Sequence, residues 1–148
     1  MKVEDVAKYF LALQHADPEG SRDITNMKLQ KLLYYAQGYH LALYGRPLFD
    51  APIEAWTHGP VVPRVYREYK AYGSDPIPFP DDGLPDVPDE QTRDFLDEVY
   101  NTVGQFSAWK LRQMTHEEPP WRDADAAGGD SPEISHDAMR RYFETLVD

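Results

Sequence analysis

The residues in this sequence best suited to metal binding or acid–base catalysis are its histidines. There are five of them: His15, His40, His58, His116 and His136. No two of them lie three to five residues apart, which is the spacing of a local zinc-binding pair. His116 is followed by Glu117, as at the start of the zinc-protease motif, but Pro120 occupies the position where that motif requires a second histidine. The histidine pattern therefore predicts no metal site.

Other catalytic signatures are also missing. The sequence contains no cysteine, which excludes disulfides, cysteine-ligated zinc and thiol nucleophiles. It has no glycine-rich phosphate loop, since the pair at 128–129 lacks a lysine and a preceding strand. The adjacent acids Asp81-Asp82 and Glu117-Glu118 are interpreted as solvated charges. A hydrolase that uses His58 and His116 with a nearby acid stays open as an alternative, because such groups can converge from distant positions.

Tryptophans beside prolines mark two rigid corners of the chain. The first is Trp56-Thr57-His58-Gly59-Pro60, and the second is Pro119-Pro120-Trp121, which is expected to end a helix. Proline fixes φ and tryptophan offers a large, rigid surface. Each corner is therefore either part of the core or a preorganised anchor for a partner.

A long helix precedes the first corner. Thr25 is a suitable N-cap, and Gly45 follows the last helical residue, Tyr44. One face of this helix carries mostly leucines, and a second apolar stripe lies roughly opposite, at Met27, Tyr34 and Leu41. A helix that is apolar on two sides either runs through the core or presents one face to a partner. Because Lys28, Lys31 and Tyr35 flank the second stripe, we predict that this face binds a partner.

The remaining pattern predicts a mainly α, compact single domain over residues 1–148. About six helices are expected around the long central one, with at most a small β-hairpin near Ile53–Thr57. The other helices are expected to begin at Val3, at Gly59-Pro60, at Asp89 or Thr92, at the Ser107 cap and at the Ser135 cap. Residues 73–88 and 123–132 are predicted to be surface loops.

Charge and composition limit the partners. The net charge of −11 argues against direct contact with nucleic acid and with anionic membranes. The N-terminus lacks the apolar core of a signal peptide, and no stretch is apolar enough to span a membrane. These features predict a cytoplasmic protein that binds another protein and needs no cofactor.

Several of these segments together resemble the Panacea domain, the SocA-like antitoxin domain that also occurs in phage-associated proteins. The resemblance rests on residues 27–38, Pro47-Leu48-Phe49-Asp50, residues 54–63 with Val65 and Tyr66, Thr115-His116 and Pro120-Trp121. It implies an antitoxin that neutralises a co-encoded toxin by direct protein–protein contact. Within the family, one member of the SocA branch instead acts as an adaptor that delivers its toxin to a ClpXP-type protease. Many members carry an appended DNA-binding domain, but the 24 residues before Thr25 are too few and too acidic for one.

The leading expectation is therefore an antitoxin without enzymatic activity. The alternatives are a protease adaptor, a phage-associated effector that binds a host protein, and the hydrolase above. The candidate protein-binding residues are Met27, Lys28, Lys31, Tyr34, Tyr35, Leu41, Trp56, His58 and Trp121.

Overall fold

The computed structural model describes residues 1–18, 23–79 and 83–147. The helices in these ranges are α1 (Val3–Ala16), α2 (Asn26–Tyr44), α3 (Pro63–Tyr69), α4 (Glu90–Val103), α5 (Ala108–His116), α6 (Pro119–Ala127) and α7 (His136–Glu144). A 3-10 turn over Lys70–Tyr72 extends α3. The mainly α architecture is confirmed, with seven α-helices in the described residues where about six were expected.

A small antiparallel sheet accompanies the helices. Its strands are β1 (Ile53–Trp56), β2 (Gly59–Val61) and β3 (Glu133–Ile134), in the order β2-β1-β3. Trp56 pairs with Gly59 at the β1–β2 turn, and Ile53 pairs with Ile134. The hairpin near Ile53–Thr57 is confirmed, and β3 is an additional strand.

The starts of two helices differ from the prediction, because a proline can lie in an edge strand or in the first turn of a helix as well as after a helix end. Gly59-Pro60 lies in β2, so α3 begins only at Pro63. Pro119 and Pro120 begin α6 rather than merely ending α5, since proline is well suited to the first helical turn. Much of the predicted loop 123–132 is therefore the second half of α6.

The predicted loop at 73–88 is mostly exposed in its described part, but two apolar side chains attach it to the domain. Ile77 and Val87 are buried, and the Ile77 amide donates to the Ile24 carbonyl at 2.9 Å. Asp81-Asp82 lies outside the described residues. None of the described helices combines the length and the apolar composition needed to cross a bilayer.

Helix α2 begins and ends as predicted, and it runs through the centre of the domain. The Thr25 hydroxyl accepts from the Lys28 amide, and Gly45 closes the helix with a φ of 71°. Helices α1, α3, α4, α5 and α7 pack on α2, with α7 covering it most extensively, and α6 packs on α5 and α7. Both apolar stripes of α2 are consequently buried, apart from the half-exposed Met27 at its first turn and the exposed Leu43 at its last.

Buried amides on α2 hold the surrounding loops. Gln37 donates to the Phe49 carbonyl at 2.7 Å and accepts from the Leu48 amide at 2.8 Å. Gln30 accepts from the Val62 amide at 2.9 Å and donates to Asn26 at 2.8 Å. Unpaired buried backbone groups are costly, so these side chains fix the two segments that follow α2 and β2.

The contact between α2 and α7 depends on a glycine. A Cβ atom built on Gly38 would overlap the Phe143 ring, and Phe143 is fully buried. Gly38→Ala is therefore expected to lower the free energy of unfolding by about 1–3 kcal/mol through overpacking. Denaturant unfolding measures this loss, and adding Phe143→Leu should restore part of it. Additive destabilisation by the two changes would show that the ring and Gly38 are not in contact.

Candidate functional site

A groove of about 900 Å³ lies between the first turns of α2, the β1–β2 turn, the end of the α3 extension and the start of α5. Its lining includes four of the predicted residues: Met27, Lys31, Trp56 and His58. The segment that follows α6 completes the wall. The structure thus brings together part of the predicted set, from two regions of the sequence.

The β1–β2 corner forms one side of the groove. Gly59 has a φ of 115°, a conformation that side-chain-bearing residues rarely adopt. A Cβ atom at Gly59 would also lie 2.7 Å from Cε of Lys31, so the glycine leaves room for the lysine chain. Trp56 is half-buried, with its ring 5.0 Å from Tyr66 and its Nε1 donating to Glu54 at 2.9 Å.

The second tryptophan corner supports the first from behind. Trp121 is buried, and its Nε1 donates to the Trp56 carbonyl at 2.8 Å. The His116 ring stacks on Trp121 with centroids 4.0 Å apart. Trp121 is therefore a structural support of the groove and does not line it.

The outer edge of the groove comes from α5. Trp109 is 61% exposed, and the Arg112 guanidinium lies 4.9 Å from the centroid of its ring. Arg112 Nε also donates to Nδ1 of the exposed His58 at 3.3 Å. Trp109 and Arg112 were not among the predicted site residues, although they lie three positions apart and so share a face of the helix.

Lys31 lies at the inner wall. Its side chain is 1% exposed, and among the described residues it has no hydrogen bond or ion pair. Burial and the positive charge of Arg112 lower the pKa of Lys31 to about 7. The nearby His116 also has a lowered pKa, caused first by burial and then by the charges of Arg112 and Lys31.

The prediction that Tyr34, Tyr35 and Leu41 form an exposed face is wrong, because all three side chains are buried in the core. Lys28 is buried as well, where its Nζ donates to Asp23 at 2.8 Å and to the Gly104 carbonyl at 2.7 Å. It joins the start of α2 to the end of α4. These four residues therefore contact no partner directly in this conformation.

The two tyrosines instead surround a buried carboxylate. Glu118 accepts from the Tyr34 hydroxyl at 3.0 Å and from the Tyr35 hydroxyl at 2.7 Å, and Tyr142 also hydrogen-bonds to it. Burial raises the pKa of Glu118 to about 7, although the tyrosine hydrogen bonds act in the opposite direction. The interpretation of Glu117-Glu118 as two solvated charges is thus wrong for Glu118, while Glu117 is exposed.

The chemistry of the groove is that of a binding surface with aromatic and cationic groups. In residues 1–18, 23–79 and 83–147, no group of three or more histidine, cysteine or acidic side chains is arranged to hold a metal ion. Within the same part of the chain, neither His58 nor His116 hydrogen-bonds to a carboxylate. The geometry offers aromatic contact surface, one exposed histidine, His58, and nearby positive charge.

Comparison with known proteins gives the class to which this arrangement belongs. The family model described as antitoxin SocA-like, Panacea domain matches residues 29–122, which include both tryptophan corners and α5. The chain therefore belongs to the SocA-like, Panacea-domain antitoxin family, as the sequence motifs predicted.

An individual relative supports the same family. Antitoxin SocA of Caulobacter vibrioides (strain NA1000 / CB15N) is 37% identical to this chain over 109 residues. The aligned segment covers 66% of this chain and 58% of the relative's length. No solved structure matches the chain.

Proposed function

We propose that the protein is an antitoxin that neutralises a toxin encoded beside it, by direct protein–protein contact through the groove. The observation that carries the proposal is the family match, because it covers most of α2, the β1–β2 hairpin and α5, which build most of the groove. A relative named Antitoxin SocA supports the antitoxin role.

The groove has the composition of a protein-binding surface. Interfaces are enriched in tryptophan, tyrosine, methionine and arginine, and a few such residues dominate the binding energy. Trp109 is mostly exposed beside Arg112, while Trp56, Tyr66 and Met27 are half-exposed along the wall. The rings of Trp109, Trp56 and Tyr66 offer contact area without a large loss of conformational freedom on binding.

The groove is also held rigidly. The Trp121 indole bonds to the Trp56 carbonyl, and Gln30 bonds to the Val62 amide. A surface whose shape is fixed before binding loses less entropy when its partner docks. We therefore expect the groove to recognise its partner through a shape that is already formed, and not through a segment of this chain that folds only on contact.

Trp109 is the residue whose replacement tests the proposal. When it is changed to Glu, we expect loss of protection on co-expression with the neighbouring toxin gene, and at least about thirtyfold weaker capture of the toxin. The melting temperature should not change by more than about 2 °C, because the side chain is exposed. Leu43→Glu is the matched control, since Leu43 is 51% exposed and does not line the groove.

Two results would contradict the proposal. A Trp109→Glu protein that captures the toxin like wild type would remove the groove from the interface. If the wild-type chain protects only in cells that contain a ClpXP-type protease, and toxin levels fall there, the mechanism is delivery to the protease instead of direct neutralisation.

A further inference from the structure

Lys31 is an unusual residue at the groove because its charge has no compensating partner. Its side chain is 1% exposed and lines the groove. Among the described residues its amine forms no hydrogen bond or ion pair. Transferring an ammonium group from water into a protein without a partner is strongly unfavourable.

Lys28, which lies one turn earlier on α2, is an example of a buried lysine with a structural role. It is also 1% exposed, but its amine bonds to Asp23 at 2.8 Å and to the Gly104 carbonyl at 2.7 Å. Lys28 and Lys31 are buried to the same extent, but among the described residues only Lys28 has hydrogen-bond partners for its amine. The position of Lys31 is therefore not explained by the packing of α2.

The surroundings of Lys31 add positive charge. Arg112 is near enough to lower the pKa of Lys31, and both charges lower that of His116. The His116 Nε2 is buried, and no described group hydrogen-bonds to it. Asp125 lines the groove but forms no ion pair with Lys31. This concentration of positive charge occurs in a protein whose net charge is −11.

The shape of the site keeps the lysine in place. The absence of a side chain at Gly59 admits the Lys31 chain, with Cε 2.7 Å and Nζ 3.3 Å from the position that a Cβ would occupy. The same corner is fixed from behind by Trp121. The amine is thus held beside a cavity of about 900 Å³, which has room for a ligand group.

We propose that the inner wall of the groove is an anion-binding site in which Lys31 binds a carboxylate or phosphate group. An oxygen anion that enters the groove accepts from the Lys31 ammonium in a region screened from water, where such charge-assisted bonds are strong. Arg112 contributes favourable charge from α5. This site is independent of the identity of the toxin, since it is defined by residues of this chain alone.

The test uses the purified full chain and two probes, inorganic phosphate and acetate. Each is titrated up to about 100 mM at constant ionic strength with sodium chloride, and the melting temperature is recorded, because a ligand that binds the folded state stabilises it. Phosphate also stabilises proteins without binding specifically. The readout is therefore the difference between wild type and Lys31→Met, a variant of similar length without charge. Lys28→Met is the matched control.

We expect phosphate, acetate or both to raise the wild-type melting temperature by a few degrees more than that of Lys31→Met. Lys31→Met without added anion should melt at or above wild type, because it removes an unpaired buried charge. Lys28→Met should melt lower but keep the anion response. If only one of the two anions stabilises wild type more than Lys31→Met, the site binds that type of anion, either phosphate or carboxylate.

Either of two results would overturn the proposal. The first is an equal response to both anions in wild type and Lys31→Met. The second is a Lys31→Met protein that melts as low as Lys28→Met, because that outcome would give Lys31 a structural role. The melting measurements do not involve the toxin. A negative result for the anion site can therefore be distinguished from failure of the proposed antitoxin function.

Discussion

Changing Tyr34 to alanine is expected to lower the free energy of unfolding by about 3–5 kcal/mol, the range found for large-to-small changes at buried aromatic positions. Tyr34 is 0% exposed, and its ring makes edge contacts with Tyr35 at 5.1 Å and Phe143 at 5.5 Å. Its hydroxyl also donates to Glu118. Alanine would leave a cavity between α2 and α7 and remove one donor from a buried carboxylate.

Urea unfolding of three variants separates these contributions. Tyr34→Phe keeps the ring and should lose only about 1–2 kcal/mol, the cost of a hydrogen bond to a buried group. Tyr72→Ala is the surface control, since Tyr72 is 37% exposed, and it should change stability by less than about 1 kcal/mol. Wild-type stability of Tyr34→Ala would contradict the placement of this ring in the core.

The second large effect is a dependence of stability on pH that Glu118 causes. Burial raises the folded-state pKa of this carboxyl from 4.5 to about 7, so the folded protein holds the proton more tightly than the unfolded chain. Its contribution to stability is fully present below about pH 4.5 and is lost as the pH rises through about 7. At about 1.4 kcal/mol per pH unit, the loss amounts to about 3 kcal/mol.

Glu118→Gln removes this titration while keeping a similar shape. The free energy of unfolding, measured from pH 4 to pH 8, should therefore fall less steeply in Glu118→Gln than in wild type. The other titratable groups are the same in both proteins, so their contributions cancel in the difference. Glu117→Gln is the matched control, because Glu117 is exposed, and it should retain the wild-type slope. Parallel curves for wild type and Glu118→Gln would disprove the proton linkage.

Local chemistry made most of the helix boundaries predictable. Thr25, Asp89, Ser107 and Ser135 each accept a bond from the backbone amide three residues later, so their side chains define where the helices start. Pro119 and Pro120 do not show whether a helix ends or begins at their position, because proline can follow one helix or begin the next. Strand β3 was missed because its two residues form a strand only by pairing with β1.

The site was harder to predict because its character depends on contacts between distant segments. Lys28 and Lys31 look equivalent in the sequence, yet only Lys28 meets a carbonyl from the end of α4. Glu117 and Glu118 are neighbours, but only Glu118 turns toward the tyrosines of α2. Sequence spacing identified the tryptophan corners, whereas the direction of each charged side chain is set by the tertiary fold.

The groove has a consequence for the lifetime of the chain, because its walls come from α2, the β1–β2 turn and α5. These segments meet only in the folded domain, so a molecule that fills the groove cannot remain bound to an unfolded chain. Each tenfold excess of such a partner over its dissociation constant adds about 1.4 kcal/mol to the stability of the fold. We therefore expect chains with an occupied groove to open less often, and to be cut more slowly by proteases, than free chains.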